Sequence, residues 1–211
     1  MMPMIPSERE YRNFELRALQ RDEENTEEKK IVRGYASTFD EPYTLYQDDE
    51  LIITEKVDRH AFDEADMDDV IFQYNHEGRV FARIRNNTLE VSADDKGLAI
   101  EANLGETEIG RQLYEEIKGG YTDKMSFGFR VSEDKWEDTT DHESGKVISE
   151  RTIMRISKVY DVSAVSLPAN DGTEISVRAL TDGAIERVAE ERRKALNLKR
   201  QRTAMLLKLM N

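Results

Sequence analysis

Between Ile31 and Ala179 apolar and polar residues alternate, the two-residue period of half-buried β-strands. Runs of this kind are IVRGYAS (31–37), LIITEKV (51–57), DVIFQY (69–74), RVFARI (79–84), TLEVSA (88–93) and GLAIEANL (97–104). MSFGFRVS (125–132), VISERTIMRIS (147–157), VYDVSAVSL (159–167) and EISVRA (174–179) follow. β-Branched and aromatic residues are frequent in them, and Gly, Asn, Asp or Pro break them. The period puts Met125, Phe127, Phe129 and Val131 on one face and Ser126, Gly128 and Arg130 on the other. It also gives Asp161 the face of Val159, Ser163, Val165 and Leu167.

The period changes to a helical one in two places. TEIGRQLYEEIKGG predicts a helix with Thr107 as N-cap, a stripe of Ile109, Leu113 and Ile117, and a stop at Gly119 and Gly120. From Leu180 onward one long helix is expected, begun near Thr181 or Asp182. Its stripe of Ile185, Val188, Ala189, Ala195, Leu196, Thr203, Leu206, Leu207 and Met210 follows helical spacing and is interrupted by Arg192 and Lys199. A shorter helix is expected over DRHAFDEAD (58–66). Many short strands with few helices predict a mainly β fold with helices, a barrel or compact mixed-β domain rather than a doubly wound sheet. The expected units are a charged arm over 1–30, a β domain over 31–180 and a basic amphipathic helix over 181–211.

Charge sharpens that division. The chain carries −13 overall, yet residues 184–211 hold eight Lys/Arg against three Asp/Glu, a net of +5. The preceding 183 residues therefore carry −18. So acidic a body argues against general nucleic-acid binding, which needs cations to replace phosphate counterions. The basic helix suits packing on the body, on a second copy or on an acidic partner. With no cysteine, disulfides, thiolate metal sites and a cysteine nucleophile are excluded, which fits a reducing cytoplasm. No apolar run approaches the roughly 18 residues of a membrane span, and the N-terminus lacks the pattern of a secretion signal.

Ser126 beside Gly128 reads either as part of a solvated strand face or as a nucleophile with room for substrate. A serine nucleophile needs a base, most often histidine. The chain has three. His142 sits in a polar loop and His60 on the expected short helix, where surface or packing roles fit. His76 follows an apolar strand and precedes Gly78, a rigid yet reachable place. It is either the base or a turn histidine bonded locally. The imidazole needs an orienting acid. Asp161 stands in an apolar strand, where Asp is disfavoured and a buried carboxylate needs a partner. It is either that acid or a structural carboxylate. No local motif joins the three residues.

The ordered pieces GYASTF, EKVDRHAF, NHEGRV, DKGLAIEANL, EIKGG, KMSFGF and VYDVSAVSLPAN resemble the prohead (capsid maturation) serine proteases of tailed phages, from about Ile31 to Ala179. The resemblance implies His76 as base, Ser126 as nucleophile and Asp161 as third member. Many members carry Glu at the last position, one methylene longer. It implies a β-barrel of about seven strands surrounded by helices, similar to herpesvirus assemblin. It implies a serine endopeptidase, without cofactor or metal, acting in the host cytoplasm inside the assembling prohead. Its substrate would be the scaffolding protein, or the scaffold-like extension of the major capsid protein, and the protease itself. Backbone N–H groups must stabilise the oxyanion; the sequence does not name them, and the turn around Pro168 to Asn170 is one candidate. A non-catalytic capsid assembly factor on the same barrel is the alternative, an unrelated esterase or amidase a third, and self-association stays open.

Overall fold

The computed structural model describes residues 9–18, 30–166 and 184–209. The first half holds β1 (Glu10–Ala18), β2 (Ile31–Thr38), β3 (Tyr43–Gln47), β4 (Leu51–Val57), β5 (Ile71–Tyr74) and β6 (Glu77–Arg83). Then come β7 (Leu89–Ala93), β8 (Gly97–Asn103), α1 (Glu108–Lys118), β9 (Lys124–Thr140), β10 (Val147–Val165) and α2 (Ala184–Leu209). The strands join in one sheet ordered β3-β4-β10-β9-β1-β2-β8-β7, with β5 paired to β10 and to β6. The class is mainly β with two helices, as the alternation predicts.

The sheet curls around its main apolar core. Phe72 and Ala82 of β5–β6 share it with Leu89 and Leu98 of β7–β8, and with Phe127 and Val162 from the middle. A closed barrel is nevertheless not formed by pairings among the described strands. The path is open between β6 and β7, which touch but form no ladder.

Two strands escape the sequence pattern. β1 falls inside the expected arm, because Glu10 and Arg12 are buried and invert the usual code of polar outside and apolar inside. β3 is a five-residue edge strand. The two runs expected at 147–157 and 159–167 are one strand through Val165. Residues 58–66 form turns, not a helix. They cover the stretch of β10 between its parallel neighbours β4 and β5. Asp58 N donates to Ile153 O (3.0 Å), Ile156 N to Ala61 O (2.8 Å) and Asp66 N to Ser157 O (3.0 Å). An extended chain must pair its backbone groups, and here a loop does so where no strand is available. The expected strand at 174–179, the N-cap at 181–182, the Pro168–Asn170 turn, and Leu167 and Met210 lie outside the described residues.

Both helices form. Thr107 caps α1 by accepting from Gly110 N (3.1 Å), Leu113 and Ile117 are buried, and Gly120 follows at φ +73°. On α2, Ala189 is buried, and Val188 and Leu196 pack beside it against Leu51, Ile53 and Trp136. The arginine that interrupts the apolar stripe belongs to this docked face. Arg192 lies 4.5 Å above the Trp136 ring and donates to Ser149 Oγ (2.8 Å) and to Asp138. From Asn197 to Leu206 the helix is exposed, Leu198, Met205 and Leu206 included.

A charged layer lies between strands β1, β3, β4, β9 and β10. Arg12 grips Glu55 with two nitrogens (2.5 and 2.8 Å) and reaches Glu10 (2.8 Å). Arg151 donates to Glu10 (2.6 Å), Glu55 (2.9 Å) and Asp134 (2.7 Å), and Tyr43 Oη to Glu55 (2.5 Å). Burial pushes the Glu55 carboxyl up, but Arg12 and Arg151 outweigh it and hold it down at about 2. Burial and then Glu55 push the Tyr43 phenol well up.

Candidate active site

The strand that carries Ser126 is fixed on both sides. β1 runs antiparallel along one edge of β9, with Asn13 opposite Ser126, and β10 along the other, with Ser163 opposite Ser126. On the core face the rings of Phe127 and Phe129 stack at 4.4 Å, and Phe62 tilts against Phe127 at 6.2 Å. Ser126 is thus held by packing beneath and ladders beside it. Contrary to a solvated strand face, it is 1% exposed, and its Oγ makes no hydrogen bond to any described residue.

Asp161 reaches this face through a bulge. Phe129 pairs with Val159 and Gly128 with Asp161, so two steps on β10 match one on β9 and Tyr160 is the extra residue. The simple alternation that gives Val159 and Asp161 one face is therefore broken. Val159, Val162 and Ala164 belong to the core cluster, whereas Asp161 and Ser163 stand opposite Gly128 and Ser126 on the other side of the sheet. Gly128 presents no side chain opposite the carboxylate, so the space beside Ser126 also clears room for Asp161.

Removing Tyr160 would leave Val159, Asp161, Val162 and Ser163 in strict alternation opposite Phe129, Gly128, Phe127 and Ser126, each on its present face. Deletion of this one residue is therefore expected to leave a folded chain that still cleaves peptide, with circular dichroism and a thermal melt checking the body. A folded deletion variant in which cleavage is abolished would refute the face assignment.

His76 arrives from the other side of β10. Asn75 and His76 form the two-residue loop between β5 and β6, with φ of +51° and +60°, flanked by the Tyr74–Glu77 pair. Two left-handed residues in a row are the requirement of a type I′ hairpin turn. Asn suits the first position. Histidine at the second costs roughly 1–2 kcal/mol relative to glycine, and such strain gathers at functional sites. Asn75 ties the turn to β10: its N–H donates to Ala164 O (2.9 Å), and its Oδ1 accepts from Ser166 N (3.1 Å). So placed, His76 Nδ1 hydrogen-bonds Asp161 Oδ1, and the opposite ring nitrogen, Nε2, is buried. Despite its shorter side chain, Asp161 reaches the ring.

The three residues singled out by sequence therefore meet in part. His76 and Asp161 are joined, Ser126 shares the Asp161 face two pairs along the ladder, and Ser126 and His76 are not hydrogen-bonded to each other. The other histidines are remote in role. His60 pairs with Asp63 at the exposed surface (3.0 Å), and His142 is exposed in a turn. Two partners of Asp161 escaped sequence reasoning. Ser163 Oγ donates to Asp161 Oδ1 (3.1 Å), and Arg9 approaches Oδ2 (3.4 Å). The Ser163 spacing from Asp161 was legible as one strand face; Arg9 carried no signal.

Compared with known families, residues 15–187 match the model of the caudovirus prohead serine proteases. No curated protein and no solved structure matches the chain.

Proposed function

The chain belongs to the caudovirus prohead serine protease family, and from that premise we propose that it is a serine endopeptidase cleaving scaffolding protein, or a scaffold-like extension of the capsid protein, inside the prohead. The family implies a capsid maturation role within the assembling phage. The roles of Ser126, His76 and Asp161 are our assignment. The observation that carries it is the convergence of a half-buried histidine, the buried aspartate it bonds and a buried serine, from three different strands or turns.

Ser126 Oγ bonds to the scissile carbonyl carbon while its proton passes to His76 Nε2. Collapse of the adduct breaks the C–N bond, and the imidazolium gives that proton to the leaving amine. Water then attacks the ester, His76 takes its proton, and Ser126 recovers it as the acid leaves. Asp161, on Nδ1, keeps the ring in the tautomer that exposes Nε2 as acceptor and stabilises the cation once formed.

We read the curled sheet, in which β6 lies against β7 and β8, as the assemblin-like barrel. The exposed basic half of α2 is offered as a dock for scaffold, shell or a second copy, and the charged terminal segments as sites of self-cleavage. Co-expression with the capsid and scaffold genes of the same phage tests the function. Precursor cut at defined sites, read by mass spectrometry, is the expected result; intact precursor alongside folded, packaged protein would overturn it.

A further inference from the structure

We infer that Ser163 and Arg9 form a two-point clamp on the Asp161 carboxylate, making the start of the N-terminal strand a working part of the active site. The inference rests on the reading of Asp161 as the acid that orients His76. A carboxylate on a single hydrogen bond can swing about its Cβ–Cγ bond. Here each oxygen has its own restraint. Oδ1 accepts from His76 and from Ser163 Oγ (3.1 Å), and Oδ2 faces Arg9 Nη1 (3.4 Å). Ser163 is fully buried, so its hydroxyl is committed to this partner.

Arg9 is held in place twice. Its guanidinium lies 3.9 Å above the ring of Tyr160, the bulge residue itself. Its chain neighbour, Glu10, is locked by Arg151 at 2.6 and 3.0 Å. The buried charged layer thus delivers the arginine to the carboxylate. The bulge does two jobs: it turns Asp161 away from the core and provides the platform for the cation that restrains it. Arg9 also precedes residues 15–187, the part of the chain that matches the family.

The clamp acts through Asp161, so Ser163 and Arg9 are positioning residues. Both stabilise the carboxylate anion, and Arg9 adds a positive charge near the imidazolium that catalysis must form. The surrounding charges are Arg130 and Lys158, 5.8 and 5.7 Å from the Tyr160 ring, Asp66 bonded to Lys158, and Glu77 beside His76 in the chain. None of these changes in the test.

Full-length Ser163→Ala and Arg9→Met are each expected to lower kcat by about 10- to 100-fold, with KM within about twofold of wild type. With the anion less satisfied, the imidazolium is favoured, so the acid limb of the kcat/KM–pH profile moves to higher pH. Arg9→Lys keeps the charge and should return that limb to its wild-type position. Wild-type rates and profiles in both variants would overturn the clamp. So would a rate loss that tracks a lower melting temperature while the acid limb stays put. Cleavage at the wild-type rate by Ser126→Ala would instead sink the proposed Ser126–His76–Asp161 triad on which the clamp rests, so the two failures are distinguishable.

Discussion

Ser126→Ala is expected to leave a folded chain that no longer cuts its capsid precursor. The loss should be at least about 10⁴-fold in kcat/KM, the range seen when a serine nucleophile is removed and only binding and oxyanion stabilisation remain. Stability should hardly change. Ser126 Oγ makes no hydrogen bond to a described residue, so its removal breaks none of those interactions, and the Phe127 and Phe129 anchor is untouched. A melting temperature within a few degrees of wild type would show that fold and activity have been separated. The experiment also decides against the competing idea of an assembly factor that merely shares this fold. Such a protein would give the same particles with Ser126 or Ala at this position. Uncut but assembled proheads are the expected product of the variant, and cutting at the wild-type rate would remove Ser126 from the mechanism.

The second large effect falls on stability. Glu55→Gln keeps the shape of the side chain but removes the anion that Arg12, Arg151 and Tyr43 share. Two buried guanidinium groups then depend on Glu10 and Asp134. Breaking a buried charge network on one side costs roughly 3–5 kcal/mol. At about 2–4 °C per kcal/mol for a chain of this size, the melting temperature should fall by roughly 6–20 °C. The acid response follows with a definite sign. The folded-state value of Glu55, about 2, lies below its ordinary value of 4.5. Its contribution is therefore complete above about pH 4.5 and is lost as pH falls toward 2. The variant should lack that part of the acid-induced loss, which melts taken between pH 2 and pH 6 would show. A variant melting within 2 °C of wild type at neutral pH would mean that the layer adds little to stability.

The same layer explains why the sequence hides part of the fold. Alternation finds a strand when its buried face is apolar, as in LIITEKV or GLAIEANL. In EYRNFELRA the buried positions include Glu10 and Arg12, so the strand reads as a charged arm. Ser126, His76 and Asp161 stood out as candidates because each is an unusual residue in its setting, and the ordered motifs of a family joined them. Their route to one another was not. The bulge at Tyr160 is a backbone irregularity with no compositional mark, and it reverses the face that strict alternation assigns to Asp161. The two left-handed residues at Asn75 and His76 were foreshadowed by asparagine and a nearby glycine, but their tie to Ser166 depends on a strand some ninety positions later (|i−j| = 91).

Such separations govern when the proposed site comes into being. The His76–Asp161 pair spans 85 positions, and the Glu10–Arg151 contact spans 141. Because the first strand completes its pairing only once β9 has been made, and Glu10 meets its partner only on β10, the ribosome must finish nearly the whole domain before the site exists. At about 5–20 residues per second, synthesis of those 141 residues takes roughly 7–30 s, followed by the slow search that long-range pairing imposes. A nascent chain is therefore inert toward its surroundings for that interval. The sheet order thus serves as a clock, setting the earliest moment at which the proposed cleavage could begin.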